Sequence, residues 1–194
     1  MKSFKFNYYT VFITLFRIAL IVQGIYFLTS GKFPLALYSA SALIATFLIN
    51  IVYRITDINP SMFLKFSIQF LIFLTMYLGH LNSFYILIPR WDDFTHLLSG
   101  FIITFFGYLT LDRFNNKKKV LTSNKYFVSI FIIIFGLSAA ALWEVFEFSG
   151  DKLFSMQSQG GSLDDTMWDI INGTIGPIIL VLIYLKNPKL FDTK

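Results

Sequence analysis

The chain has 194 residues, 56% hydrophobic, 19% aromatic and only 14% charged, with 24 phenylalanines and a mean hydropathy of +0.66. A soluble domain carries nearer about 25% charged residues, so this composition excludes an all-water surface and requires lipid around much of the chain. The formal net charge of +5 is no nucleic-acid footprint, because the basic residues sit in short connections between apolar runs.

Six apolar runs reach the length of about 20 residues that a bilayer-crossing helix needs. In chain order they cover roughly residues 8–28, 34–53, 62–82, 93–111, 126–148 and 167–185. They predict an all-α, polytopic membrane protein, a bundle of about six transmembrane helices forming one domain over 1–194. The first run follows Lys2 and Lys5 as a signal peptide would, but it is too long for one and lacks a small-residue cleavage pattern. Arg17, inside it, either snorkels to an interface or pairs within the bundle. His80, near the outer end of the third run, reads as a loop residue, with a further part in the polar cluster as the alternative. The fourth run is preceded by Arg90 and opens on Trp91-Asp92-Asp93-Phe94-Thr95-His96. The fifth closes on Trp143-Glu144-Val145-Phe146-Glu147. The sixth opens on Asp164-Asp165-Thr166-Met167-Trp168-Asp169 and passes Asn172, Gly176 and Pro177, where a kink is expected. The connection 112–125 is basic, and 149–164 is rich in Gly, Ser and Gln.

Lysine and arginine placement sets the orientation. With a cytoplasmic N-terminus the inner side holds Lys2, Lys5, Arg54, Lys65, Arg113, Lys117, Lys118, Lys119, Lys125, Lys186, Lys189 and Lys194. The outer side holds Lys32, Arg90 and Lys152. Twelve against three predicts a cell-membrane protein with both termini cytoplasmic. The three polar turns then share the outer interface, each beside one of the three tryptophans. Seven of the 11 acidic residues lie in these turns.

Residues three or four apart share a helix face. His96 follows Asp92 by four and Asp93 by three; Glu147 follows Glu144 by three; Asp169 follows Asp165 by four and precedes Asn172 by three. Gly100, Gly107, Gly136, Ala140, Gly173 and Gly176 continue these faces with residues that let membrane helices approach closely. The last three helices are thus expected to pack with their polar faces inward, the first three serving as scaffold. Several carboxylates cannot all ionise together in a low dielectric unless a cation neutralises them. With no cysteine to supply thiolates, oxygen ligands and one imidazole suit Mg, Mn, Zn or Fe, and the dominance of oxygen leans to Mg or Mn. The expected metal ligands are His96, Glu144, Glu147 and Asp169. Glu147 and Asp169 are the catalytic candidates, Asp169 as ligand or as base. Asp93, Asp165, Asn172 and Arg90 are expected at the rim or orienting the ligands. Against this stands interhelical hydrogen bonding alone, with Asp92 and Asp164 as interfacial or helix-capping residues and Arg90 as an interfacial anchor.

The succession Asp-x-x-His, Glu-x-x-Glu and Asp-x-x-Asn followed by Gly resembles the VanZ-like and YjdF-like bacterial membrane proteins. YjdF-like is the closer, through Trp-Asp-Asp-Phe-x-His and Trp-Glu-x-Phe-Glu. The resemblance covers roughly residues 85–180 and implies a bacterial integral membrane protein of the cell envelope. The functional expectation from the residues is a metal-dependent hydrolase or transferase acting on a lipid or lipid-linked head group. The alternatives are a transporter or ion-coupled carrier, and a non-catalytic module that binds or senses envelope components.

Overall fold

The computed structural model describes residues 7–56, 60–115, 124–154, 159 and 162–191, and every regular element among them is helical. The principal helices are α1 (Tyr8–Thr29), α2 (Phe33–Thr56), α3 (Met62–Ile72), α4 (Phe84–Leu87), α5 (Trp91–Asn115), α6 (Lys125–Phe154) and α7 (Leu163–Lys186). Helix α3 continues as a π-helix over Phe73–Leu81, and a 3₁₀ turn covers Pro188–Phe191. Six helical stretches are long and apolar enough to cross a membrane. These runs are full of Phe, Ile and Val, poor helix formers in water. In lipid the backbone has no other partner for its polar groups, so the helix is imposed. Of the basic residues used to orient the chain, Lys2, Lys5, Lys117, Lys118, Lys119 and Lys194 lie outside the described residues.

The chain divides into two compact units, Met1–Pro89 and Arg90–Lys194. In the first, α1 begins on Asn7, whose side chain accepts from the Thr10 N–H. It turns into α2 through Gly31, at φ +72°. Ser61 caps α3 by accepting from the Leu64 N–H at 3.2 Å. The core is aromatic: Phe66, Phe70, Phe73 and Tyr77 stack successively along one helix face, and Phe12 and Phe16 pack against them. The sequence reads as one regular helix over 62–82; the switch to π geometry is the departure. Asn82 closes it, its backbone and side-chain N–H groups both donating to the Tyr77 carbonyl.

In the second unit α5, α6 and α7 pack on one another, and glycines stand where they touch. A Cβ on Gly100 would collide with the carbonyl oxygen of Gly173, one on Gly176 with the backbone of Leu97 and Phe101, and one on Gly136 with the Pro177 ring. Pro177 sits inside α7. It has no N–H for the carbonyl four residues earlier, which is that of Gly173, and this is the carbonyl that α5 meets with Gly100. Proline and glycine thus act together: one frees a carbonyl, the other brings a Cα close enough to cover it. At the other end of the unit Phe191 folds into a buried aromatic group with Tyr108 and Tyr184, and the Tyr108 hydroxyl donates to its carbonyl.

Candidate functional site

Three helix segments bring polar groups together inside the second unit. Helix α5 starts at Trp91, so Asp92 and Asp93 occupy its first turn, where carboxylates meet the positive end of the helix dipole. Helix α7 starts on Ser162, whose hydroxyl accepts from the Asp165 N–H at 3.0 Å. This cap leaves Asp165 in the first turn and Asp169 one turn deeper. Helix α6 runs past both of its glutamates to Phe154.

The centre is His96. Its Nε2 lies 3.4 Å from an Asp92 oxygen and 3.8 Å from an Asp169 oxygen. These separations exceed those of short charge-assisted hydrogen bonds, about 2.7–2.9 Å. Asp92, His96 and Asp169 each offer a ligand atom, all within 4.8 Å of one another. Two ligands about 2.1 Å from one ion stand about 3.0–3.4 Å apart, so a cation needs only a small inward movement of this set. The group is graded in depth: the side chains of Asp169, His96 and Asp92 are 4%, 10% and 39% exposed.

Glu144 adds the second element. It is 4% exposed, and neither carboxylate oxygen makes a well-formed hydrogen bond, the Thr166 hydroxyl being the one side-chain donor that interacts with it. It lies beside Thr166 and within the electrostatic reach of His96, Asp92 and Asp165. A buried carboxylate without donors is costly, and an ionised one is tolerated only near positive charge.

The expected members are placed as follows. His96, Asp169 and Glu144 come together. Glu147 is half-buried and outside the three-residue ligand group, its Oε1 accepting from the Trp143 indole at 2.9 Å. Asp93 is outside that group: Asn172 donates to one of its oxygens at 2.6 Å and Arg90 to the other at 2.6 Å. Asn172 is buried, so the Asp93–Asn172 bond fixes α5 against α7 one turn from the centre. Arg90 itself holds a left-handed φ of +61° and is largely exposed. Asp165 lies within electrostatic reach of Asp92, His96 and Glu144. Asp92, which sequence reasoning treats as a cap, belongs to the centre. Its four-residue spacing from His96 is the signal that could have placed it there.

The helices and this cluster define a multi-pass membrane protein with a buried carboxylate–histidine group in its C-terminal unit. Residues 8–188 match the predicted membrane protein family DUF2238, and the chain belongs to that family. A Thermotoga maritima protein described as uncharacterized is 29% identical over 128 residues, 66% of this chain and 65% of its own length. The chain therefore spans just under two thirds of that relative. No solved structure matches.

Proposed function

We propose that Asp92, His96 and Asp169 hold a divalent cation, and that the protein uses it as an enzyme on the anionic head group of a lipid or lipid-linked molecule. The observation that carries this is Glu144, a buried carboxylate with no well-formed hydrogen bond and no paired cation among the described residues, beside a three-ligand set. Three protein ligands with open positions is the arrangement of catalytic rather than structural metal sites. Two carboxylates with one imidazole favour Mn or Zn, with Mg next. The ion would supply positive charge for an oxyanion and an acidified water.

Within this proposal, each residue has a task. Asp169 and His96 are the buried ligands, and Asp92 the ligand nearest the mouth. Glu144 accepts the proton of the attacking oxygen. Asp93 and Asn172 hold α5 and α7 at the spacing the ligands need. Glu147 serves the edge of the site through Trp143. Arg90, exposed beside Asp93, meets the negative charge of the head group. The site opens at the outer leaflet if the termini are cytoplasmic. The likeness of the three motifs to YjdF-like and VanZ-like proteins accords with a cell-envelope role and belongs to the same proposal.

The test is metal content and turnover in the full chain. After dialysis against Mn²⁺ or Zn²⁺ and desalting, the wild type should retain about one ion, and Asp169→Asn and His96→Ala at least tenfold less. Glu144→Gln should keep the ion and lose release of head group from vesicles containing phosphatidylglycerol. Wild-type metal content in Asp169→Asn would remove the centre. A retained ion with no turnover by the wild type on any lipid head group would remove the enzyme and leave a binding module or a carrier.

A further inference from the structure

A second polar group lies in the first unit, far along the chain from the cation ligands. Arg17 of α1 donates through Nε to the Thr46 hydroxyl at 2.9 Å and through Nη2 to the Thr46 carbonyl at 3.1 Å. Gln69 of α3 donates to the same carbonyl at 3.0 Å. The guanidinium carbon sits 3.7 Å from the centre of the Phe47 ring. Thr46 and Gln69 are fully buried.

Depth makes this group unusual. Arg17 follows the start of α1 by nine residues, Thr46 precedes the end of α2 by ten, and Gln69 follows the start of α3 by seven. These three helix ends lie on one side, because consecutive spans run in opposite directions. At about 1.5 Å per residue the group stands about 10–15 Å in, near the middle of a hydrocarbon layer about 30 Å thick. The guanidinium is held at the level of Thr46 and does not reach for an interface. An ionised side chain at that depth costs about 2.5–3.5 kcal/mol on insertion scales.

Among the described residues of the unit nothing neutralises it. Met1–Pro89 contains a single acidic residue, Asp57, which lies outside the described residues and follows α2. Among the described residues no carboxylate pairs with Arg17, and its Nη1 meets no acceptor. The Gln69 carbonyl oxygen is buried without a donor. Around the shared Thr46 carbonyl the described residues thus leave two needs unmet: negative charge for a guanidinium edge and a hydrogen donor for the Gln69 amide oxygen.

We infer that Arg17, Thr46 and Gln69 form an intramembrane binding site for one oxyanion group, a carboxylate or a phosphate. The planar guanidinium pairs two oxygens side by side. Phe47 covers one of its faces and fixes its plane. A hydroxyl of the ligand, or a water that accompanies it, donates to Gln69. The oxyanion can arrive on a lipid chain or as a free anion, and both offer the same contacts.

The experiment uses the full chain in phosphatidylcholine nanodiscs, with oleate and inorganic phosphate as separate probes and the melting temperature as readout. At least one probe should raise the wild-type melting temperature by several degrees in a saturable way. Oleate alone points to a lipid carboxylate, phosphate alone to a free anion, and both to a site that accepts either. Arg17→Gln should lose the shift while melting, without probe, no lower than wild type, because an uncompensated mid-bilayer charge has gone. Arg17→Lys keeps the charge without the fork and should need at least tenfold more probe. No shift with either probe overturns the site, as does an equal shift in Arg17→Gln. If Arg17→Gln does not fold, a wild-type response of Arg17→Lys overturns it.

Discussion

At the residue scale, the decisive contrast is between two glutamates one turn apart. Glu144 is buried without a well-formed hydrogen bond, whereas Glu147 is tied to Trp143 at the edge. Substituting glutamine at each should separate their roles. Glu144→Gln removes a buried charge, and its amide oxygen can still accept from Thr166, so the cation-free protein should melt at or above the wild-type temperature. Glu147→Gln should leave cation content within about a factor of two of wild type, as measured by elemental analysis. A tenfold loss in that variant would make Glu147 a ligand instead. The sequence carries the clustering of these residues, because helical spacing and shared depth are local. It does not carry which of two stacked acids turns inward, because that depends on how α6 is rotated against its neighbours. Asp92 shows the same limit in reverse. An acid in a first turn satisfies a helix end equally well alone, and only the approach of α7 brings it together with His96 and Asp169.

At the element scale, the site depends on how closely α5, α6 and α7 approach. Gly100 and Gly176 leave no room for a methyl group, since the atoms they meet are backbone. Gly100→Ala or Gly176→Ala should destabilise the protein by about 1–3 kcal/mol, read as a lower melting temperature in detergent, and should also weaken cation retention. Gly24→Ala is the control: a Cβ there meets Ser39 at an ordinary contact distance of 3.4 Å or more, and melting should be unchanged. Asn172→Ala should act like the tight glycine variants, because it leaves Asp93 without the bond that joins α5 to α7. These contact faces are legible in the sequence as small residues continuing a polar stripe. The π-helix over Phe73–Leu81 is not, since its apolar run has the same composition as an α-helix and the closing contact comes from Asn82 beyond its end.

At the scale of the whole molecule, composition and run length suffice for six membrane helices, because lipid leaves the backbone few choices. The orientation rests on twelve basic residues against three. Reporter fusions after residue 120 should read cytoplasmic and those after residue 155 external; the opposite pattern would move the proposed cation site to the inner leaflet. The chemistry is tested most directly at the cation itself. The chain has two histidines, His80 and His96, so protein labelled with ¹⁵N-histidine and loaded with Mn²⁺ gives an unambiguous pulsed-EPR assignment. A single histidine nitrogen should couple to manganese, persist in His80→Ala and vanish in His96→Ala. Absence of that coupling in the wild type, or its survival in His96→Ala, would contradict a cation held by Asp92, His96 and Asp169.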